Sequence, residues 1–204
     1  MQFDEDYYLN GVAKGVSNYE NYRWLPKETT PMARRLVEFF GASKDEQIWD
    51  FGCARGYLIK ALREMGYQAF GNDISDWAIE HCDPEVEDYV FNGSRIKMNV
   101  SYVIAKDVLE HIPEVEMENT IRHICGKTRE ALIVVPLARN TGGEYFRKED
   151  ESDVTHRIRW TFNDWMRHLQ HISGHAVLGT THIEGLKPAS KQQPGSTGFF
   201  LIRT

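Results

Sequence analysis

Between residues 47 and 136 the chain alternates short apolar runs with stretches whose apolar residues recur every three to four positions. Val103-Ile104-Ala105 and Ala131-Leu132-Ile133-Val134-Val135 are apolar at every position, the pattern of strands covered on both faces of a parallel sheet. Strands are predicted at 47–51, 67–72, 87–91, 100–105 and 131–136. Helices are predicted at 57–65, 76–82 and 114–125. In the first of these Leu58, Ile59, Leu62 and Met65 share one face. Such alternation defines an α/β fold with an open, doubly wound sheet whose ligands lie at the carboxyl ends of the strands.

The flanks read differently. Residues 1–27 hold Tyr7, Tyr8, Tyr19, Tyr22 and Trp24 without clear periodicity, which predicts an irregular aromatic arm with at most one short helix. A single domain is expected over 28–204. Thr30-Pro31 reads as an N-cap and first-turn proline, followed by the apolar face Met32, Leu36, Val37 and Phe40 and a stop at Gly41. Residues 138–159 form a long polar connection of the kind that often borders an active site. Phe162, Trp165, Leu169 and Ile172 then mark a helix that Gly174 ends. Two late strands, near 176–184 and 198–203, are joined by the loop from Lys187 to Ser196 and read as antiparallel neighbours, giving seven strands in all.

At 204 residues the chain suits one domain with a sizeable core. Its 24 basic against 30 acidic residues give a net charge of -6, which argues against a general electrostatic footprint for nucleic acid. Cys53, Cys82 and Cys125 are far apart and fit neither a disulfide framework nor metal-ligand spacing. A reduced, cytoplasmic setting is expected. The acidic start lacks the basic and apolar regions of a signal peptide, and no apolar run suits a membrane helix. His168, His171 and His175 have metal-like spacing, yet His171 points away from the apolar stripe and no cysteine or acid joins them. They read as a solvated helix face, and no metal centre is expected.

The chemistry concentrates at three places. The first strand ends in Ile48-Trp49-Asp50-Phe51 and breaks into Gly52-Cys53-Ala54-Arg55-Gly56 just before a helix, a turn that lets a ligand approach backbone N–H groups. About twenty residues on, Asp73 ends the second strand, where an acid can hold ribose hydroxyls. The fourth strand is followed by Lys106-Asp107-Val108-Leu109-Glu110-His111-Ile112-Pro113.

These three segments, in this order, resemble the class I S-adenosylmethionine-dependent methyltransferases from about residue 30 onward. The resemblance implies a Rossmann-like, mostly parallel seven-stranded sheet with a late antiparallel pair, and S-adenosylmethionine as cofactor. It also implies that Gly52, Cys53, Ala54 and Gly56 approach the methionine part, with Asp50 bracing the loop. Asp73 would accept from both ribose hydroxyls, and Ile74 would pack on adenine. Asn92 would meet the adenine amino group, and Lys106, Asp107 and Leu109 would line the pocket. Two residues depart from the pattern: Ala54 replaces the middle glycine and Asn92 stands where an aspartate is frequent. A dinucleotide is the rival cofactor, but Tyr57 stands where Gly-x-Gly-x-x-Gly needs its last glycine.

Methyl transfer is an in-line displacement governed by alignment, and a hydroxyl acceptor benefits from a general base. His156, in Asp153-Val154-Thr155-His156, is the leading candidate base; the alternative is a histidine that fixes its loop. His111 is the second candidate, against a role in starting a helix. The aromatic arm reads equally as a lid over the cofactor or as a segment packed on the domain. The sequence after the fourth strand lacks the Asp/Asn-Pro-Pro-aromatic segment that stacks a flipped base, and there is no Pro-Cys nucleophile. The expected acceptor is an oxygen or nitrogen of a small molecule, a sugar or glycan precursor being favoured. The alternatives are an RNA or other nucleic-acid methyltransferase and a non-catalytic S-adenosylmethionine-binding protein.

Overall fold

The computed structural model describes residues 3–187 and 193–204. Its centre is a seven-stranded sheet in the order β3-β2-β1-β4-β5-β7-β6. The strands are β1 (Gln47–Phe51), β2 (Gln68–Asp73), β3 (Val90–Asn92), β4 (Val100–Lys106), β5 (Thr128–Pro136), β6 (Ala176–Thr180) and β7 (Thr197–Arg203). The first five pair in parallel, and β7 runs antiparallel to both β5 and β6.

Period-two alternation explains why the central strands are apolar throughout. Trp49, Val103, Ala131 and Ile133 face one way, packing on Met117, Ile121 and Ile124 of α6 (Glu114–Cys125) and on Trp165 and Leu169 of α8 (Phe162–Ser173). Ile48, Ile104, Leu132 and Val134 face the other way, against Leu36, Val37 and Phe40 of α3 (Pro26–Phe40) and Leu58, Ile59 and Leu62 of α4 (Tyr57–Glu64). Every inner strand residue is therefore covered on its own face. A third, smaller cluster joins Tyr7 and Tyr8 to Ala78 and Trp77 of α5 (Asp76–Glu80).

Several boundaries move from the sequence expectation. The third helix starts at Pro26 with Leu25 at its N-cap, so Thr30 is not the cap and Pro31 lies inside the helix. Pro26 satisfies the first-turn preference, and the polar turn that follows it carries no apolar signal. Residues 87–89 form a 3₁₀ turn, which delays β3 to Val90. The strand expected at 131–136 begins at Thr128, and the one expected at 176–184 ends at Thr180. The arm carries two short helices, α1 (Glu5–Leu9) and α2 (Gly11–Lys14), where at most one was expected. Asp4 caps the first through the Tyr7 N–H at 3.1 Å. The polar connection includes the short α7 (Lys148–Glu151). Of the loop expected from Lys187 to Ser196, residues 188–192 lie outside the described residues. Among the described residues no helix is long and apolar enough to cross a membrane.

Candidate active site

The strand order reverses between β1 and β4, and a cavity of about 500 Å³ opens beside their carboxyl ends. The turn after β1 forms its floor. The Gly52 and Cys53 N–H groups both donate to the Asn72 carbonyl, at 2.8 and 2.9 Å. Gly52 adopts φ 81°, and a Cβ there would stand 2.3 Å from Val108 Cγ2. Glycine is thus required both by conformation and by the close approach of the segment after β4. Ala54 takes φ 48°, in the left-handed region, so the substitution at the middle position carries strain of about 1–2 kcal/mol that glycine would not.

Asp73, only 7% exposed, holds this turn from the neighbouring strand. One carboxylate oxygen accepts from the Ala54 N–H at 2.7 Å and the other from the Ser75 N–H at 2.8 Å. Burial raises its carboxyl, and these N–H groups oppose that. Each oxygen keeps a further lone pair, which suits a vicinal diol. Asp50 stands on the same wall, where burial pushes its carboxyl up to about 7 against the pull of Lys106. The two acids make a floor suited to a cationic ligand. Ile74, 58% exposed, offers a bare apolar side chain at the cavity rim.

On the β4 side Asp107 takes φ 56° and lies between two cations, with Lys106 Nζ and Lys187 Nζ each donating at 2.7 Å. Burial works against its charge, yet the two lysines hold its carboxyl well below the usual range. Asp73 ends β2 and Asp107 directly follows β4, on either side of β1, about 10 Å apart by strand spacing. The arm lines the cavity, with Phe3, Tyr7, Tyr8, Tyr19 and Tyr22 on its wall. Tyr8 stacks on Trp77 with centroids 5.4 Å apart, and Arg55 of the turn donates to the Tyr22 carbonyl at 3.1 Å. Each such ring pair contributes about 0.5–1.5 kcal/mol, so the arm is seated rather than loose.

The structure gathers Asp50, Gly52, Cys53, Ala54, Asp73, Ile74, Lys106 and Asp107 on the cavity wall, together with His111. Three expected cofactor residues lie elsewhere. Gly56 is the N-cap of α4, where a Cβ would press on Val86 at 2.8 Å. Leu109 is fully buried in the α6-side core. Asn92 donates to Asp76 at 2.6 Å, and Ser94, two residues on, occupies the wall instead. His156 is also off the wall, its ring 4.7 Å from that of His111. His168 stacks on Trp160 at 4.0 Å, while His171 and His175 are exposed.

His111 is firmly oriented. Thr155 Oγ1 donates its one proton to Asp153 Oδ1 at 2.5 Å, so it accepts from His111 Nδ1 at 2.7 Å. Tyr7 donates to the other Asp153 oxygen at 2.8 Å. Burial, reinforced by His156, pushes the His111 imidazole down to about 4. The ring is neutral near pH 7 and its Nε2 keeps a lone pair. Sequence reading had no signal for this relay, because its members lie at residues 7, 111, 153 and 155.

A sheet reversed at β1/β4, a glycine turn and a buried acid at the next strand end define a fold of the Rossmann-like class. A family model described as a methyltransferase domain matches residues 25–186, and the chain belongs to that family, whose methyl donor is S-adenosylmethionine. Three solved structures share the fold. A S-adenosylmethionine-dependent methyltransferase from Archaeoglobus fulgidus has 14% identity and a TM-score of 0.63, over 88% of this chain and 97% of that one. The mitomycin 7-O-methyltransferase MmcR has 15% identity and a TM-score of 0.59, over 86% of this chain; the match spans about half, 54%, of that protein. The small RNA methyltransferase HEN1 has 15% identity and a TM-score of 0.62, over 89% of this chain and 26% of that one. No curated protein matches the chain by sequence.

Proposed function

We propose that the protein transfers a methyl group from S-adenosylmethionine to an oxygen or nitrogen of a small molecule, with hydroxylated acceptors such as a sugar or glycan precursor favoured. The observation that carries this reading is the cavity of about 500 Å³, which has the glycine turn on one side and the relay-held His111 on another. That volume accommodates one cofactor and a small acceptor, and the arm's aromatic rings narrow it from one side.

The residues divide the work. The cofactor supplies an electrophilic methyl group on a sulfonium. Asp73 holds the ribose diol, Asp50 offers negative charge to the cationic end, and Ile74 packs on the base. Gly52 keeps the turn close to the segment after β4, which sets the distance between donor and acceptor. The aromatic arm supplies one wall of the cavity and would limit water at the reacting atoms. His111, rather than the His156 favoured on sequence, faces the acceptor, and its Nε2 lone pair is the group able to take a proton or hold a ligand. His156 supports it from behind.

The test is S-adenosylhomocysteine formation, read by mass spectrometry, across nucleotide sugars, free sugars, phenols, amines and short RNAs. Turnover with a small acceptor supports the reading. Turnover with RNA alone refutes the small-molecule assignment, and cofactor binding without turnover on any acceptor favours a non-catalytic role.

A further inference from the structure

Behind the His111 wall, three side chains converge that the methyl-donor site does not use. One carboxylate oxygen of Glu110 and one ring nitrogen each of His111 and His156 lie within 4.8 Å of one another. Glu110 is 1% exposed, and among the described residues its Oε2 has no hydrogen-bond partner. The His156 Nδ1 is likewise buried and without a partner among the described residues. Leaving a buried carboxylate oxygen without a partner is costly, and a second orphan beside it repeats the penalty. A missing ligand that accepts lone pairs resolves both at once. A proton shared between Glu110 and His156 would leave the His111 nitrogen out, whereas a cation engages all three donors.

The surroundings have the organisation of a metal centre. The Asp153–Thr155 relay fixes the His111 tautomer with its proton on Nδ1, leaving Nε2 as the donor nitrogen. The backbone carbonyl of Glu110 is clamped by the Arg157 and Ile158 N–H groups at 2.7 and 3.0 Å, which ties the Glu110-His111 step to the segment that carries His156. Two imidazoles and one carboxylate suit a divalent first-row transition ion and leave coordination positions open. His111 is on the cavity wall, so the open side adjoins the acceptor space.

We propose that Glu110, His111 and His156 form a binding site for a divalent transition-metal cation at the acceptor side of the cavity. There it would hold an acceptor through an oxygen ligand. That last role rests on the proposed methyl transfer; the binding of the cation does not.

The experiment titrates Co²⁺ into full-length protein dialysed against a chelator, and follows visible absorption and heat. One equivalent is expected to bind. Glu110→Gln and His156→Gln are expected to weaken it at least tenfold, as is Thr155→Val through the orientation of His111. His171→Ala and His182→Ala, at exposed histidines, should leave it unchanged. Circular dichroism melts check each variant; should Glu110→Gln fail to fold, His156→Gln and Thr155→Val decide. The proposal is overturned if Co²⁺ does not bind in the millimolar range. Unaltered affinity in His156→Gln, or loss on removing the exposed histidines, overturns it equally. An S-adenosylmethionine titration on the same samples separates the two readings: cofactor binding without Co²⁺ binding sinks only the metal site, and the reverse sinks only the donor site.

Discussion

Acidification should release the methyl donor through a single carboxylate. Asp50 is 6% exposed on the cavity wall, and burial pushes its carboxyl up to about 7, with Lys106 opposing and Asp73 adding to the rise. Its distance from the ordinary carboxylate range is roughly three pH units, or about 4 kcal/mol held against the charged form. A cationic cofactor favours that charged form, so binding expels the proton. Affinity should fall about tenfold per pH unit below 7 and level off above it. Isothermal titration of S-adenosylmethionine between pH 5 and 7.5, in two buffers of different ionisation enthalpy, reads both the slope and the proton released. Asp50→Asn should flatten the profile. The same group sets a stability trend of defined sign. Its folded pKa lies above the unfolded one, so its contribution is present at low pH and lost as pH rises through about 7. Asp50→Asn should accordingly melt higher than wild type at pH 8. A flat wild-type profile, or a slope that persists in Asp50→Asn, refutes the assignment.

Three further outcomes test the site by other routes. Ala54→Gly removes the left-handed strain at φ 48° and should raise stability by about 1 kcal/mol, a rise of about 2–4 °C in Tm, checked by calorimetry. An unchanged or lower Tm would show that the strain is absent. Gly52→Ala places a Cβ 2.3 Å from Val108 Cγ2 at φ 81°, and should cost at least about 2 kcal/mol in a denaturant melt together with most of the cofactor affinity. Deleting residues 1–24 strips Tyr7, Tyr8, Tyr19 and Tyr22 from the cavity wall and should weaken S-adenosylmethionine binding at least tenfold; unchanged affinity would make the arm a packing element only.

The sheet was legible because its central strands meet helices on both faces, which leaves runs such as Ala131–Val135 with no polar position to confuse the period. The start of α3 was not, since Pro26 and Pro31 both suit a first turn and only the second is followed by apolar spacing. The turn and Asp73 could be read directly, because a glycine run after a strand and an acid at the next strand end are local features. Asn92 and Leu109 could not be placed, as one residue of register decides whether a side chain faces the cavity or its neighbour. His111 and His156 are 45 positions apart, so no spacing in the sequence could show that their rings meet at 4.7 Å or that Glu110 completes the group. The arm's role was hidden for the same reason. Tyr7 is fixed by Asp153 and Tyr8 by Trp77, both long-range contacts.

The most direct measurement of the central claim is a parallel titration of S-adenosylmethionine and NAD into wild type and Asp73→Ala. Two charge-assisted hydrogen bonds to the ribose diol amount to about 3 kcal/mol, or about a hundredfold in affinity. Wild type should bind one equivalent of S-adenosylmethionine and no NAD, and Asp73→Ala, verified as folded, should bind about a hundredfold more weakly. Tight NAD binding, or an Asp73→Ala variant with undiminished affinity for S-adenosylmethionine, would contradict the account.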